Sequence, residues 1–187
     1  MKDLVKIGGK LAVICAVAAA VLGIMNAITE PRIEHIKQVR LEKALEKVSK
    51  GMNIGDRKVA SDSKVVSAYY PLYEGTDEGA PNGYILRIIG GGYGGEMVIL
   101  AGFETNGEVF SVQLMENQET PGLGKEAEKS SYMEKYIGTG AEKAIPVRKD
   151  MLSQEQADAV TGATITFIGI AKALVKGSDF VDELEGK

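Results

Sequence analysis

The sequence is poor in the side chains that usually build thiol and metal chemistry. Its 187 residues include one cysteine, Cys15, and one histidine, His35. The rest of the chain therefore has no thiol for a disulfide, a Cys-ligated zinc or an iron–sulfur cluster, and a His-based triad or metal site is nearly excluded. We expect no metal site and no complete active site of its own, so any redox chemistry here requires an organic cofactor.

The chain also lacks the marks of a nucleic-acid-binding protein. Tryptophan is absent and aromatic residues make up only 6% of the sequence, so nothing indicates base stacking. The chain has 22 basic and 26 acidic residues. Three of the basic residues and one of the acidic residues precede residue 30, so residues 30–187 carry a net charge of −6. An acidic body argues against binding a phosphate backbone, so we expect no nucleic-acid partner.

One long uncharged run lies near the N-terminus. Residues 11–28 hold 18 uncharged residues, which span about 27 Å as a helix, just enough for the hydrocarbon core of a bilayer. Lys2, Lys6 and Lys10 precede the run, so the N-terminus is expected in the cytoplasm and the body on the outer face of the cell (inner) membrane. Residues 1–29 are thus predicted to be a cytoplasmic tip and a single-pass transmembrane anchor. Alternatives are a cleaved signal peptide, which lacks a good cleavage site here, and a core helix.

The chain after the anchor predicts an α+β domain. Residues 30–50 are predicted as an amphipathic connecting helix, and residues 51–187 as the folded extracytoplasmic domain, beginning with a loop at 51–62. The connecting helix has an apolar face of Leu41, Ala44, Leu45 and Val48. Strands followed by helices indicate an antiparallel sheet with flanking helices.

Four strands are predicted from alternation and turn residues, over residues 64–73, 83–89, 97–104 and 108–115. Thr105-Asn106-Gly107 predicts a hairpin turn between the last two strands, because Asn-Gly tolerates positive φ. The glycine-rich segment 90–95 joins the second strand to the third. A helix is predicted over 125–137, with its apolar face made of Tyr132, Met133, Tyr136 and Ile137, and a last helix closes at Gly177.

The most informative segment begins that last helix, with the sequence Asp158-Ala159-Val160-Thr161-Gly162-Ala163-Thr164-Ile165-Thr166. Thr161 suits the N-cap position, and Gly162 and Ala163 keep the first turn free of bulk. Free backbone N–H groups and the helix dipole at such a site favour a negatively charged group such as phosphate. A plain capped helix is the alternative on these grounds alone.

All six constrained positions of this segment match the flavinylation motif of the covalent-FMN family, which the chain resembles. In that family a dedicated Mg²⁺-dependent transferase uses FAD to esterify the last Ser/Thr of the motif with FMN. The resemblance implies covalent FMN on Thr166, and it implies cofactor contacts from the residues just before it, which are Thr161, Gly162, Ala163, Thr164 and Ile165. Phe167 departs from the small hydroxyl residue that often follows the acceptor.

A second segment resembles the same family, Glu119-Thr120-Pro121-Gly122-Leu123-Gly124. By itself Pro-Gly predicts only a turn. The resemblance implies that the loop lies against the flavin, with contacts from Glu119, Thr120 and Leu123. Tyr93 in the glycine-rich turn and Lys149 are further candidate contacts, for ring packing and for positive charge near the flavin; an exposed turn tyrosine and a surface lysine are the ordinary alternatives.

Both motifs, their order and the single anchor resemble the G-subunit family of the Rnf (Rsx) ion-translocating electron-transport complexes. The resemblance implies an electron-transfer subunit of a membrane complex that couples ferredoxin/NAD electron transfer to Na⁺ or H⁺ translocation. Its partners would be the other subunits and, during maturation, the flavin transferase. The alternatives are the related C subunit of Na⁺-translocating NADH:quinone reductase, a free-standing reductase domain, and a cofactor-free anchored binding module.

Overall fold

The computed structural model describes residues 2–61, 63–75 and 79–186, with side chains from residue 6 onward. The chain divides into two compact units, Met1–Leu41 and Glu42–Lys187. Helix α1 covers Lys2–Val48 and therefore contributes to both units.

Helix α1 carries no charged residue over residues 11–29. Within the described part of the chain it is the one helix long and apolar enough to cross a membrane, judged by length and composition. Its most apolar 18-residue window has a mean hydropathy of 2.5, and none of that window is buried by the chain. A core helix would be mostly buried, so that alternative does not fit. Pro31 lies inside the helix, where its missing N–H removes one helical hydrogen bond.

The last turns of α1 belong to the second unit. Ala44, Leu45 and Val48 are buried, as the amphipathic pattern predicted. The helix stops at a backbone reversal, where Lys50 and Gly51 both have positive φ angles of 50° and 88°. This reversal leads directly into the sheet.

The second unit is built around an antiparallel sheet of six strands. The strands are β1 Asn53–Ile54, β2 Lys58–Val59, β3 Val66–Tyr73, β4 Gly83–Gly91, β5 Glu96–Glu104 and β6 Val109–Glu116. Their order is β1-β3-β4-β5-β6, with β2 also paired to β3. The four predicted strands are confirmed to within two residues at each end. The predicted loop at 51–62 is wrong in part, because β1 and β2 lie there and are too short to show alternation.

Both predicted hairpin turns are present. Between β5 and β6, Gly107 has φ +82° and its N–H donates to the Glu104 carbonyl at 3.0 Å. Between β4 and β5, the Gly92 N–H donates to the Gly95 carbonyl at 2.7 Å, and Gly95 has φ +132°. The second turn carries Tyr93 at its tip.

Helix α4 spans Thr164–Leu184 and covers one face of the sheet. Its buried residues recur at helical spacing and join the core formed by β4 and β5; they include Phe167, Ile170, Ala171, Leu174 and Val181. The helix approaches the sheet closely because glycine stands at the contact. A Cβ on Gly169 would overlap the carbonyl oxygen of Gly91 at the end of β4.

The prediction that this helix closes at Gly177 is wrong. Gly177 lies inside α4. A Cβ there would come 2.7 Å from both Ile88 and Phe103, so glycine is needed at this position for the helix to pack on the sheet and does not end the helix. The helix ends at Leu184, and Gly186 with φ +73° reverses the chain. That geometry is the usual left-handed glycine after a helix C-terminus.

The single helix predicted over 125–137 is also wrong in detail. The segment forms a 3₁₀ turn at Gly124–Glu128, a one-turn helix α2 at Ser130–Met133 and a second 3₁₀ turn at Glu134–Tyr136. Lys129 breaks the run because its backbone is extended, with φ −76° and ψ 134°. Tyr132, Met133 and Tyr136 are buried as expected, whereas Ile137 is exposed.

The Gly169–Gly91 contact predicts the result of a matched pair of substitutions. Gly169→Ala should lower the free energy of unfolding by about 1–3 kcal/mol, since the new methyl group meets backbone that cannot rotate away. Gly91→Ala is the control, because a Cβ at Gly91 has no heavy atom within 4 Å. Thermal unfolding of the detergent-solubilised chain measures both, with a loss of roughly 2–4 °C per kcal/mol expected. Equal melting temperatures for the two variants would contradict the packing described.

Candidate functional site

A cavity of about 370 Å³ opens where three separate parts of the sequence meet. Its lining comes from the β4–β5 turn, the loop after β6 and the start of α4, through Tyr93, Glu119, Thr120, Leu123, Gly124, Gly162, Ala163, Thr164, Ile165 and Thr166. The volume is in the range of small-molecule and cofactor sites. Most of the residues singled out in the sequence therefore lie in one place.

The floor of the cavity is a buried hydrogen bond between two side chains. The Thr166 hydroxyl donates to Glu119 Oε2 at 2.8 Å, and the two residues are only 1% and 4% exposed. The other carboxylate oxygen, Oε1, accepts from the Gly94 N–H at 3.1 Å. The Glu119 N–H donates to Asn117 Oδ1 at 3.0 Å. Main chain and side chain together fix the carboxylate in position.

Glycine makes room for this carboxylate on two sides. A Cβ on Gly92 would overlap Glu119 Oε1, and a Cβ on Gly124 would overlap Oε2 and come 2.7 Å from Thr166 Oγ1. The glycines of the turn and of the loop are thus required by the buried pair as well as by the turns themselves. Gly122, with φ +77°, is needed for its backbone conformation.

The N-terminus of α4 faces the cavity without a side-chain cap. The N-cap residue is Ala163, whose side chain makes no cap hydrogen bond. The amides at the start of an α-helix have no acceptor within the helix, and the helix dipole places partial positive charge there. Gly162, with φ +90°, reverses the chain just before this point. Such an N-terminus suits a phosphate group.

The prediction that Thr161 caps α4 is wrong. The Thr161 hydroxyl donates to the Ala157 carbonyl at 3.1 Å and so closes the preceding helix α3, Gln154–Ala159. Lys149 Nζ donates to the same hydroxyl at 3.3 Å. Thr161 is exposed, Lys149 is half-buried and neither lines the cavity, so the structure places this pair beside the site and not in it.

Helix α3 has a sequence signal that periodicity does not reveal. Ser153 and Gln156 form a capping box, in which each side chain binds the backbone N–H of the other residue. The pattern Ser-x-x-Gln in the sequence is enough to locate this start.

The rim of the cavity is apolar. Tyr93 is 74% exposed, and Leu123 and Ile165 are also largely exposed. Tyr93 therefore reaches the cavity wall while most of its ring has no neighbour. Apolar side chains with so little cover suit a flat aromatic ligand lying between them.

Phe167, the departure from the family pattern, points away from the cavity into the core. Its ring stacks on Tyr136 with centroids 5.8 Å apart, and the Tyr136 hydroxyl donates to the Phe167 carbonyl at 2.9 Å. The departure therefore changes the packing beneath the site and leaves the lining of the cavity unchanged.

Two titratable groups lie behind the floor, Tyr132 and Lys135, and the sequence pattern does not predict the burial of the Tyr132 hydroxyl or of Lys135. The Tyr132 hydroxyl is buried without a hydrogen-bond partner in the described part of the chain, and burial, followed by the charge of Glu119, raises the pKa of Tyr132 above its usual range. Lys135 is only 7% exposed, with Nζ 3.2 Å from the centroid of the Tyr132 ring. Burial lowers the pKa of Lys135 to about 8. An amphipathic pattern cannot predict a buried lysine, because lysine is normally exposed.

Residues 92–178, which contain all three segments of the cavity, match the family model of the FMN-binding domain. This stretch is an FMN-binding domain. The expected cofactor, FMN, and the expected α+β fold are confirmed. The match also argues against the alternative of a binding module with no cofactor.

Relatives match along nearly the whole chain. It is 28% identical to the G subunit of the Na⁺-translocating ferredoxin:NAD⁺ oxidoreductase complex of Acetobacterium woodii, over 94% of this chain and 88% of the relative. It is 29% identical to the G subunit of the proton-translocating ferredoxin:NAD⁺ oxidoreductase complex of Clostridium ljungdahlii, over 89% and 83%. It is 27% identical to the G subunit of the ion-translocating oxidoreductase complex of Methanosarcina acetivorans, over 99% and 98%. The predicted resemblance to the G-subunit family is confirmed.

The lowered pKa of Lys135 gives a pH prediction for this FMN-binding domain. The amine has its usual pKa of 10.5 when the chain is unfolded and about 8 when it is folded. Between these values the unfolded state binds more protons, so the contribution of Lys135 to stability should rise as pH rises from about 8 to 10. Melting temperatures measured across this range should show that rise in wild type, and Lys135→Met should remove it.

The control for this measurement is Lys143→Met at an exposed position, which should keep the wild-type pH dependence. A Lys135→Met variant that keeps the full rise would contradict the assignment to Lys135.

Proposed function

We propose that this chain is the G-type electron-transfer subunit of a membrane complex that couples electron transfer between ferredoxin and NAD to Na⁺ or H⁺ translocation. FMN is held as a phosphoester on Thr166. The FMN-binding domain and the relatives that are G subunits of such complexes support the subunit assignment. The observation that carries the attachment site is the Thr166 hydroxyl on the floor of the cavity, in the first turn of α4.

The lining residues fit FMN group by group. A phosphate on Thr166 would lie at the uncapped N-terminus of α4, where backbone amides and the helix dipole stabilise negative charge. Tyr93, Leu123 and Ile165 offer apolar surface to the isoalloxazine ring. Glu119 and Thr120 supply polar atoms on the loop side.

Bound flavin supplies the redox chemistry, and the protein supplies position and electrostatics. Ala163 and Gly162 keep the approach to the helix start free of bulk. A covalent bond keeps the cofactor in place on the outer face of the membrane, where a lost flavin is not replaced from the cytoplasm. Lys149, paired with Thr161, adds positive charge next to the phosphate end of the site.

The N-terminal segment supports the proposed membrane arrangement. The apolar part of α1 is a candidate span, and the three lysines that precede it favour a cytoplasmic N-terminus. The FMN-binding domain would then lie outside the cell membrane. Its partners are the other subunits of the complex and, during maturation, the Mg²⁺-dependent transferase that uses FAD.

The attachment site is tested by intact mass. When the chain is co-expressed with a flavin transferase, wild type should gain the mass of one FMN less one water, and Thr166→Ala should gain nothing because the acceptor oxygen is lost. Ser131→Ala is the control, since Ser131 is an exposed hydroxyl residue outside the cavity lining. We expect that variant to be loaded. Loading of Thr166→Ala would place the ester elsewhere.

The orientation is tested by cysteine labelling. In a Cys15→Ala background, Glu155→Cys places a thiol on the exposed surface of the domain, and Lys6→Cys places one before the apolar run. A membrane-impermeant maleimide should label the first in intact spheroplasts and the second only after permeabilisation. The reverse pattern would show that the domain is cytoplasmic.

A further inference from the structure

The hydrogen bond on the cavity floor has the geometry of an activated nucleophile. A threonine hydroxyl is a weak nucleophile at neutral pH and needs a neighbouring base to accept its proton. Thr166 Oγ1 donates its proton to Glu119 Oε2 at 2.8 Å, within the 2.6–3.2 Å reach of a general base. The hydroxyl hydrogen of Thr166 points at the Glu119 carboxylate, so the lone pairs of Oγ1 point elsewhere and can attack an electrophile.

The base is itself held in place. Glu119 Oε1 accepts from the Gly94 N–H, and the Glu119 N–H donates to Asn117. Gly92 and Gly124 leave space for the carboxylate that any other residue would fill. A nucleophile, a base and groups that orient the base form the arrangement expected of covalent catalysis.

We propose that Glu119 is the general base for the flavinylation of Thr166, so that the acceptor chain contributes a catalytic residue to its own modification. This inference rests on the function proposed above. It assigns to Glu119 a role in making the bond, in addition to any contact with the finished cofactor.

The reaction balances without any change in oxidation state. Thr166 Oγ1 attacks the flavin-side phosphorus of the FAD pyrophosphate, and an O–P bond forms. The bond from that phosphorus to the bridging oxygen breaks, and this oxygen leaves with its electron pair as part of AMP. The proton of Thr166 passes to Glu119 Oε2. The transferase supplies the Mg²⁺ that neutralises charge on the leaving phosphate.

The test measures the rate of flavin incorporation into the full chain in detergent, with purified transferase and FAD, by intact mass. Glu119→Gln preserves the size of the side chain and an oxygen for the Gly94 N–H, but it removes the basic carboxylate. We expect the kcat of incorporation to fall about 10²-fold or more, the usual contribution of a general base, with KM for the chain changed only a few-fold. Glu126→Gln, at a half-exposed glutamate outside the cavity lining, should react at the wild-type rate.

Chemical rescue separates catalysis from a structural role. Glu119→Ala leaves a space on the floor that a small carboxylate can occupy, so formate should accelerate its incorporation in a saturable manner. Formate should have no effect on Glu119→Gln, where the space is filled, or on wild type. Thermal unfolding checks that each variant is folded, and if Glu119→Ala is not, the rate of Glu119→Gln decides.

The outcomes distinguish this inference from the proposed function. Wild-type rates in Glu119→Gln, an effect confined to KM, or absence of formate rescue in a folded Glu119→Ala would overturn the role of Glu119 while leaving Thr166 as the acceptor. A wild-type chain that takes up no flavin under conditions that load another acceptor would overturn both.

Discussion

The position of Thr166 depends on the contact between α4 and the end of β4. At this point Gly169 lies against the Gly91 carbonyl, with no side chain between helix and strand. Thr166 is three residues before Gly169, about one helical turn, and Phe167 beside it is fixed by Tyr136. The height of the hydroxyl above the sheet is therefore set by contacts that involve backbone, and such contacts leave little freedom to repack.

The same contact determines which residues can form the cavity. Once α4 is held against the sheet, its uncapped N-terminus faces the β4–β5 turn and the loop after β6. The loop then places Glu119 on the Thr166 hydroxyl, and the turn contributes the Gly94 N–H. Three segments that are far apart in sequence are joined through one carboxylate.

The sequence was a good guide wherever a single local pattern decides the structure. Alternation located the four long strands, and Asn-Gly located the β5–β6 hairpin. The two motifs contain ten residues that line the cavity or lie next to it. Four are in the first motif, Glu119, Thr120, Leu123 and Gly124, and six form the run Thr161–Thr166 in the second. Covalent attachment to Thr166 stays a prediction.

The errors arose where two physical causes produce the same residue type. A glycine at position 177 predicts a helix end, but its small size is needed against Phe103, and the chain reverses at Gly186. The sequence predicts that Thr161 caps the following helix, but Thr161 closes the preceding one. Lys135 is buried because Tyr132 offers its ring and its carbonyl oxygen, a combination that only the folded chain creates.

A flavin esterified to Thr166 would be a stationary relay and not a swinging arm. Carriers that transport a group between distant active sites rely on a long flexible linker, whereas here the linker would be the short side chain of a threonine in the first turn of a helix. The helix itself has little room to shift, because Gly169 lets its backbone lie directly against the sheet. Electrons would therefore have to be brought to this chain and collected from it, so the distances to neighbouring redox centres would be set by the assembly of the complex and not by movement of the cofactor.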